Sequence, residues 1–352
     1  METIGPDEQR LINEIVEQMA AANLAAFNRH NHGIRDAHAK SHGFLKGTLT
    51  VHDDLDAELR QGVFAKPKRY EVVARLSSAP GDIHSDEIPA PRGFALKLIG
   101  VEGERLSPDI GGRNQDFLMV NFPVLAFGDV ARYKEMLGLL EANAQAPDFF
   151  QKLVAGAARG AKDVVEALGG APGATLEGLA RNNDNPLGES YFTQGALRFG
   201  DYIGKVSIAP ASPNIKALTG QPIEDVQYST IRDVVRAHFL EQDAEYTVRV
   251  QLCADLKTMP VEDAAVLWDE AVSPQRPVAT LRFERQDAYS PARRVYGDDI
   301  LAFNPWNGVA AHQPLGSIMR VRKAAYERSS QRRHAMNAVA RAEPESLAAI
   351  PD

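Results

Sequence analysis

The sequence predicts an α+β fold in which helices surround an antiparallel β-barrel. Short strand-like runs separated by Gly, Pro and Asp clusters fill residues 43–121, a pattern typical of antiparallel sheets and barrels. Strand character returns later in "GALRFGDYIGKVSIAP", "YTVRVQLCAD" and "PVATLRFER". Helical patterns gather at both ends of the chain and in one insertion, and nothing repeats at a fixed period. We therefore expect one domain over residues 1–352, with strands enclosed by helices.

The predicted elements follow in order along the chain. Apolar residues at helical spacing after a Pro-Asp start predict a helix over residues 6–28. The strand-like runs "FLKGTLTV", "RYEVVARLS", "GFALKLIGV" and "DFLMVNF" come next. Ala-rich sequence broken by "GGAPGAT" predicts a helical insertion over about residues 129–181. Further helices are expected at 226–241, at 261–270 and, after the loop "AFNPWNG", at about 316–340.

The composition argues against several classes of partner and location. The formal net charge of -8 disfavours nucleic acid, because phosphate binding needs a basic surface. Cys253 is the single cysteine, so no intrachain disulfide can form. The acidic N-terminus does not resemble a signal or transit peptide, and no uninterrupted apolar run reaches about 18 residues. We expect a cytoplasmic protein without a membrane span.

The basic stretch "RVRKAAYERSSQRR", residues 320–333, carries one tyrosine. At about 100° per residue, Arg322, Tyr326 and Arg333 share one helix face. A phenol has a pKa of roughly 10, and a nearby cation lowers it by about 1 to 3 units. Arg322 is therefore placed to favour a phenolate, which binds ferric iron well. The alternative is a solvated cationic face that complements the helix dipole near the C-terminus.

The segment "RHNHGIRDAHAKSHG", residues 29–43, contains four of the nine histidines. One interpretation is a metal site formed by His30, His32, His38 and His42. Gly33 interrupts any helical register that would bring the four rings together, so a polar entry loop is the simpler interpretation. A third interpretation is that one histidine is catalytic and the others are not.

Asn121 lies in the apolar stretch "DFLMVNFPVLAF". A buried amide must find hydrogen-bond partners or cost a few kcal/mol. The simpler interpretation is an asparagine of the core whose amide is satisfied by a turn or a buried water. In the alternative, the amide faces a ligand held inside the barrel.

Taken together, these stretches resemble the haem catalase family. The family's distal R-x-x-H-A-K-G motif is matched by "RDAHAKSHG", and its next two blocks by "RLSSAPG" and "APRGFALKL". The asparagine motif is matched by "NFPVLAFGD", the later F-D-P-x-N by "FNPWN", and the proximal R-x-x-x-Y-x-x-x-x-x-x-R by Arg322, Tyr326 and Arg333. These ordered motifs run from residue 35 to residue 333 and are more specific together than any one alone.

The resemblance implies a role for each matched residue and haem b (iron protoporphyrin IX) as the cofactor. Tyr326 would ligate the haem iron, with Arg322 stabilising its anionic form. His38 would be the distal base, Ser77 would hydrogen-bond its other ring nitrogen, and Asn121 would orient the peroxide. The remaining cofactor contacts would be Arg35, Arg75 and Arg333 on the haem propionates, and Tyr133 against the distal haem face.

The resemblance implies a peroxidase of the small catalase-related type, with weak catalase activity beside it. It would reduce hydrogen peroxide or an organic hydroperoxide with a small electron donor, and a homo-oligomer is left open. The chain departs from the family at Ala37, where Val is usual, and at Glu327, where Pro is usual. One alternative is a fatty-acid hydroperoxide isomerase or lyase of the allene oxide synthase type. The other is a haem sensor or carrier without turnover.

Overall fold

The computed structural model describes residues 2–110, 112–125, 127–142 and 183–352. Six α-helices lie in these ranges: α1 Glu8–His30, α2 Val130–Ala142, α3 Pro213–Lys216, α4 Thr230–Glu241, α5 Pro291–Val295 and α6 Ser317–Met336. The predicted N-terminal helix, the helix at 226–241 and the C-terminal helix are confirmed, with boundaries that differ by a few residues. The predicted insertion at 129–181 begins as α2, and from residue 143 onwards it lies outside the described residues.

The strands form a closed antiparallel barrel. Nine strands lie in the described part of the chain: β1 Ser41–Val51, β2 Arg69–Ser78, β3 Arg92–Leu98, β4 Gln115–Val120, β5 Tyr191–Phe192, β6 Leu197–Phe199, β7 Tyr202–Pro210, β8 Ala244–Leu252 and β9 Arg276–Phe283. They are hydrogen-bonded in the order β5-β4-β3-β2-β1-β9-β8-β7, and β5 also pairs with β7. Eight strands therefore close on themselves, while β6 forms a hairpin with β7. The predicted barrel is confirmed.

Successive side chains along each strand point alternately into the barrel and to its outer face. On β2, Val72, Ala74 and Leu76 belong to the main apolar core. Because successive side chains of a strand point to opposite faces, Arg75 and Ser77 lie on the outer face. Two polar groups are thus presented to the elements that pack outside the barrel, and not to its apolar interior.

Three helices pack together on this outside. Ile12 and Ile15 of α1, Val130 of α2 and Val321 of α6 form one buried apolar cluster. Helix α1 ends at His30, and the next residue, Asn31, is its C-cap and adopts the left-handed conformation with φ 50°. This cap turns the chain into the segment that carries the conspicuous histidines.

The predicted helix at 261–270 is wrong. This segment forms turns, and Trp268 is buried in a separate apolar cluster. The backbone N–H of Ala264 donates to the carbonyl of Gly128, and the carbonyl of Ala264 accepts from the N–H of Leu125. These bonds to a distant segment replace the local bonds that a helix would need. Among the described helices, none combines the length and apolar character needed to cross a lipid bilayer.

Candidate functional site

A cavity lies between the outer face of the barrel and helices α1 and α6. Strands β3 and β4 contribute the side chains of Ala95 and Leu118 to its wall, and α1 contributes Met19. Seven of the nine side chains that the sequence predicted for the site line it: Arg35, His38, Arg75, Ser77, Arg322, Tyr326 and Arg333. Residues from both ends of the chain thus meet in one cavity. This cavity lies outside the barrel, and the expectation of a ligand held inside the barrel is wrong, because apolar side chains fill the interior.

Tyr326 is held by a neighbour one helical turn earlier. Arg322 Nη2 donates to Tyr326 Oη over 3.1 Å, and its guanidinium carbon lies 5.2 Å from the centre of the tyrosine ring. The i, i+4 spacing on α6 places the two side chains on the same face. A cation that donates to the phenol oxygen favours the anionic form of that oxygen. The pair therefore presents a phenol oxygen, with a cation beside it, to the cavity.

His38 has a constrained backbone and a defined ring partner. Its φ of 54° lies in the left-handed region, which is uncommon for residues other than glycine. Its N–H donates to the carbonyl of Ala79 over 2.9 Å, and its Nδ1 lies 3.1 Å from Ser77 Oγ. Burial, together with the nearby cations Arg75 and Arg322, lowers the pKa of His38 to about 3. The imidazole is therefore neutral at physiological pH.

Gly93 of β3 leaves room for this imidazole. A Cβ added to Gly93 would lie 2.4 Å from His38 Nδ1 and 2.8 Å from Ser77 Oγ. Carbon atoms cannot approach so closely, so a side chain here would displace the ring or the serine. Gly93 belongs to the matched "APRGFALKL" block, but sequence reasoning assigned it no role.

Three arginines surround the turn that follows α5. Asp298 Oδ1 accepts from Arg35 Nη1 over 3.2 Å and from Arg75 Nη2 over 3.3 Å. Arg333 Nη2 donates to the carbonyl of Leu301 over 3.1 Å. Burial lowers the pKa of the Arg35 and Arg75 guanidinium groups, and that of Arg333 falls to about 10 for the same reason. The cavity therefore has a strongly cationic end.

The cationic end is incompletely satisfied by protein groups. Arg75 Nε is buried and has no hydrogen-bond partner within the described part of the chain. Arg35 and Arg75 also repel each other electrostatically. A buried donor without a partner costs free energy, so this end of the cavity suits an anionic group, such as a carboxylate, from a ligand.

Asn121 does not line the cavity. Its Oδ1 accepts from the backbone N–H of Arg92 over 2.8 Å, and its Nδ2 donates to Glu189 Oε2 over 2.6 Å. The side chain is 2% exposed. This arrangement agrees with an asparagine of the core that is satisfied by protein partners. Its predicted role toward a peroxide stays a prediction.

Tyr133 lies beside the cavity but does not line it. It packs against the apolar cluster shared by α1, α2 and α6, with its ring centre 6.5 Å from that of Phe127. Burial, and after it the negative charge of Tyr326, raises the pKa of Tyr133 to about 12. Its hydroxyl therefore stays protonated near Tyr326. Its predicted contact with the cofactor stays a prediction.

The four histidines of residues 29–43 have separate partners. His30 pairs with Asp82, His32 with Asp299, His38 with Ser77 and His42 with Ser78. Among the described residues, no group of three or more metal-ligating side chains comes together. The structure therefore favours the interpretation in which one of these histidines, His38, belongs to the site.

Sequence reasoning missed two acidic residues near the site. Asp36 lines the cavity, and its position two residues before His38 in the matched motif is a signal that could have identified it. Glu189 accepts the hydrogen bond from Asn121. No signal in the sequence connects Asn121 with Glu189, because 68 positions separate them.

Comparison with known proteins agrees with this geometry. Residues 2–148 match the catalase family model, and this range contains α1 and strands β1 to β4. A search of the solved structures returns catalases over most of the chain. The chain has the catalase fold. The match over residues 2–148 agrees with the resemblance that the motifs predicted, and the solved structures show the same fold over most of the chain.

Two solved catalases define how far the likeness extends. A fungal catalase matches with a TM-score of 0.61 and 18% identity, covering 88% of this chain and 61% of its own. Catalase A from Saccharomyces cerevisiae matches with a TM-score of 0.57 and 20% identity, covering 89% and 65%. The chain thus spans less than two thirds of either catalase. No curated protein sequence gives a match.

Proposed function

We propose that the protein is a haem-dependent peroxidase that reduces hydrogen peroxide or organic hydroperoxides with a small electron donor, with weak catalase activity beside it. One observation carries this proposal. The Arg322–Tyr326 pair and the His38–Ser77 pair line the same cavity in a catalase fold. A bound haem in such a cavity has an anionic oxygen for its iron and a neutral base for the peroxide.

The side chains that line the cavity are suited to hold haem b. The phenol oxygen of Tyr326 is the candidate iron ligand, supported by Arg322. The propionates are two carboxylates, and Arg35, Arg75 and Arg333 offer a cationic end for them. The unpartnered Nε of Arg75 supports this assignment, because a propionate would supply the acceptor that the described protein groups do not.

When bound, haem iron supplies the redox chemistry that splits the O–O bond, and an anionic tyrosine ligand supports its higher oxidation states. The chain's own residues then have two tasks: they hold the cofactor and they move protons. Axial ligation and the cation beside the ligand are the means by which the protein tunes the metal.

His38 is the proposed proton-transfer group. With Nδ1 held by Ser77, Nε2 is the ring nitrogen that remains to accept the proton of the hydroperoxide and return it to the departing oxygen. Its low pKa keeps this base unprotonated over the working pH range. A positioned acid–base group of this kind typically contributes about 10² to 10⁴ in rate.

The shape of the cavity supports organic hydroperoxides among the substrates. Ala37 replaces the larger residue usual in the family and is exposed. Met19 and Ser329, which also line the cavity, are partly exposed. Because these residues are exposed or partly exposed, the cavity is open to the surface on this side, and a substituted hydroperoxide can enter there.

The same apolar wall supports a second candidate function, isomerisation or lysis of a fatty-acid hydroperoxide. Ala95, Leu118 and Phe303 line the cavity and belong to the apolar cluster outside the barrel, so they offer contact to an alkyl chain. This reaction needs no electron donor, and that difference separates the two functions experimentally.

The test is steady-state turnover by protein purified with ample haem supply. The peroxidase predicts oxidation of a small donor that depends on both peroxide and donor, and a loss of about 10²-fold or more in His38→Ala. An isomerase would instead convert the fatty-acid hydroperoxide at full rate without donor. Unaltered peroxide turnover in His38→Ala would contradict both assignments of the site.

A further inference from the structure

Asp36 is the one acidic side chain among the described residues that line the cavity. The other charged groups of the wall are four arginines: Arg35, Arg75, Arg322 and Arg333. Three of them are assigned to propionates and one to the phenol oxygen of Tyr326. The proposed function gives the carboxyl of Asp36 no role.

The carboxyl group of Asp36 is buried, and one of its two oxygens has no hydrogen-bond partner among the described residues. Its side chain is 5% exposed, and its Oδ2 lies 3.8 Å from Arg332 Nη1, a long ion pair. A hydrogen bond from Ser329 is its other polar contact. Its Oδ1 is buried and has no hydrogen-bond partner in the part of the chain that the structure describes. A buried acceptor without a donor is unfavourable, so a ligand that brings a donor to Oδ1 is stabilised.

The protonation behaviour of Asp36 agrees with this. Burial outweighs the Ser329 hydrogen bond and the charges of Arg332 and Arg333, and it raises the pKa of the Asp36 carboxyl to about 6. The group is therefore mostly ionised at neutral pH, yet it is a stronger base than an exposed aspartate. It can accept a proton from a ligand more readily than an ordinary carboxylate can.

Asp36 lines the cavity next to Ala37, which is exposed. Ser329 and Ser330 of α6 and Met19 of α1 line the same cavity and are partly exposed. A molecule that enters between α1 and α6 therefore meets an apolar side chain and this carboxyl together. The combination suits a small ring compound that carries an O–H or N–H group.

We propose that Asp36 binds the electron donor of this enzyme, and that the donor is a phenol or an aromatic amine whose O–H or N–H bonds to the Asp36 carboxylate. This inference rests on the proposed peroxidase function and names the class of its second substrate. His38 serves the peroxide, and Asp36 serves the reductant.

The chemistry balances with the peroxide as oxidant. Each donor AH loses one electron to the cofactor and its O–H or N–H proton to Asp36 Oδ1, and leaves as the radical A•. Two donors are consumed per hydroperoxide: ROOH + 2 AH gives ROH + H₂O + 2 A•. The O–O bond and two A–H bonds break. The peroxide's own proton ends in the alcohol, and the two donor protons end in the water. Asp36 returns to its carboxylate form after each transfer.

Charged groups elsewhere near the site are already engaged. Asp298 pairs with Arg35 and Arg75, and Glu189 accepts from Asn121. Neither Asp298 nor Glu189 lines the cavity. Asp36 is therefore the acid in position to meet a donor molecule.

The test compares two donors on the haem-loaded protein: guaiacol, a phenol, and ferrocyanide, which gives an electron but has no proton to donate. The measured quantity is the ratio of kcat/KM for guaiacol to kcat/KM for ferrocyanide. We expect Asp36→Asn to lower this ratio about 10- to 100-fold, as expected for loss of one hydrogen bond to a charged group. The dissociation constant of guaiacol, measured from the haem difference spectrum before peroxide is added, should rise in parallel.

Two further variants make the result decisive. Asp36→Val removes the buried charge without leaving a cavity, so it should fold even if the asparagine variant does not, and it should lower the ratio equally. Asp53→Asn, in an exposed turn, is the matched control and should leave the ratio unchanged. A ratio within about twofold of the wild type in Asp36→Asn or Asp36→Val would overturn the inference. Absence of ferrocyanide turnover in the wild type would overturn the proposed peroxidase, and the inference with it.

Discussion

Gly93 and His38 are packed so closely that the glycine determines where the imidazole lies. The hypothetical Cβ of residue 93 falls 2.4 Å from Nδ1 and 2.6 Å from Cε1 of His38. The position of the proposed base is therefore set by two features together. One is the left-handed backbone at residue 38, and the other is the absence of a side chain on the neighbouring strand β3.

Gly93→Ala is expected to displace the His38 ring and break its contact with Ser77. Because acid–base catalysis depends on position, peroxide turnover should fall about 10²-fold or more, while haem is retained through Tyr326. Turnover and the absorption spectrum of the variant, measured together, check this. The matched control is Gly138→Ala on α2, where an added Cβ meets nothing within 4 Å. Full activity in Gly93→Ala would show that His38 is not the base.

The pH dependence of ferrocyanide oxidation should lack a histidine transition. The pKa of His38 falls to about 3 in the folded protein, so its imidazole stays neutral down to about pH 4. Turnover should therefore show no loss with an apparent pKa near 6.5, the ordinary value for histidine. A pH–rate profile of kcat/KM from pH 4 to 8 checks this. A loss of activity centred near pH 6.5 that disappears in His38→Gln would contradict the assignment.

The same pKa shift predicts how His38 affects stability. The unfolded chain binds a proton on His38 below about pH 6.5, whereas the folded protein does so only near pH 3. The unfolded state therefore holds more protons between these values, and the contribution of His38 to stability is lost as the pH falls through this window. Urea unfolding at pH 7 and pH 4.5 should show a smaller loss of stability on acidification in His38→Gln than in the wild type. An equal or larger loss would contradict the prediction.

Arg322→Met should weaken the binding of haem through Tyr326. The variant removes the 3.1 Å hydrogen bond to the phenol oxygen and keeps most of the side-chain volume. We expect haem affinity to fall about tenfold or more, as for loss of a charged hydrogen bond. Haem titration followed by absorption measures this. Arg328→Met, at an exposed position of the same helix, is the control. Equal haem affinity in the two variants would count against the role of Arg322.

Arg75→Leu should lose haem faster than the wild type. The variant removes a buried cation with an unpartnered Nε, which is the group proposed to meet a propionate. Transfer of haem to an excess of apomyoglobin gives the dissociation rate, and we expect an increase of about tenfold or more. The exposed Arg113→Leu should release haem at the wild-type rate. Release of haem at the wild-type rate by both variants would show that the cationic end does not bind the propionates.

The sequence predicted the barrel from local patterns, whereas the candidate site residues came from the family resemblance. Two features of the site do follow from local periods. Alternation on β2 places Arg75 and Ser77 on the outer face, and helical spacing brings Arg322 and Tyr326 together. Such features need only the period of a strand or a helix.

What the sequence could not predict depends on contacts between distant segments. The amide of Asn121 is engaged by Glu189, and Asp298 lies between two arginines of the site. The segment at 261–270 has helical composition, yet its backbone bonds to residues 125 and 128 instead. Contacts of this kind form only in the assembled fold, and they produce no periodic pattern in the sequence.

The central claim is that the oxygen of Tyr326 ligates haem iron in this cavity. The most direct measurement is the absorption and electron paramagnetic resonance spectrum of protein expressed with ample haem, compared with Tyr326→Phe and with the exposed control Tyr202→Phe. We predict a high-spin ferric-tyrosinate spectrum in the wild type and the control, and its loss in Tyr326→Phe. Colourless wild-type protein, or an unchanged spectrum in Tyr326→Phe, would contradict the claim.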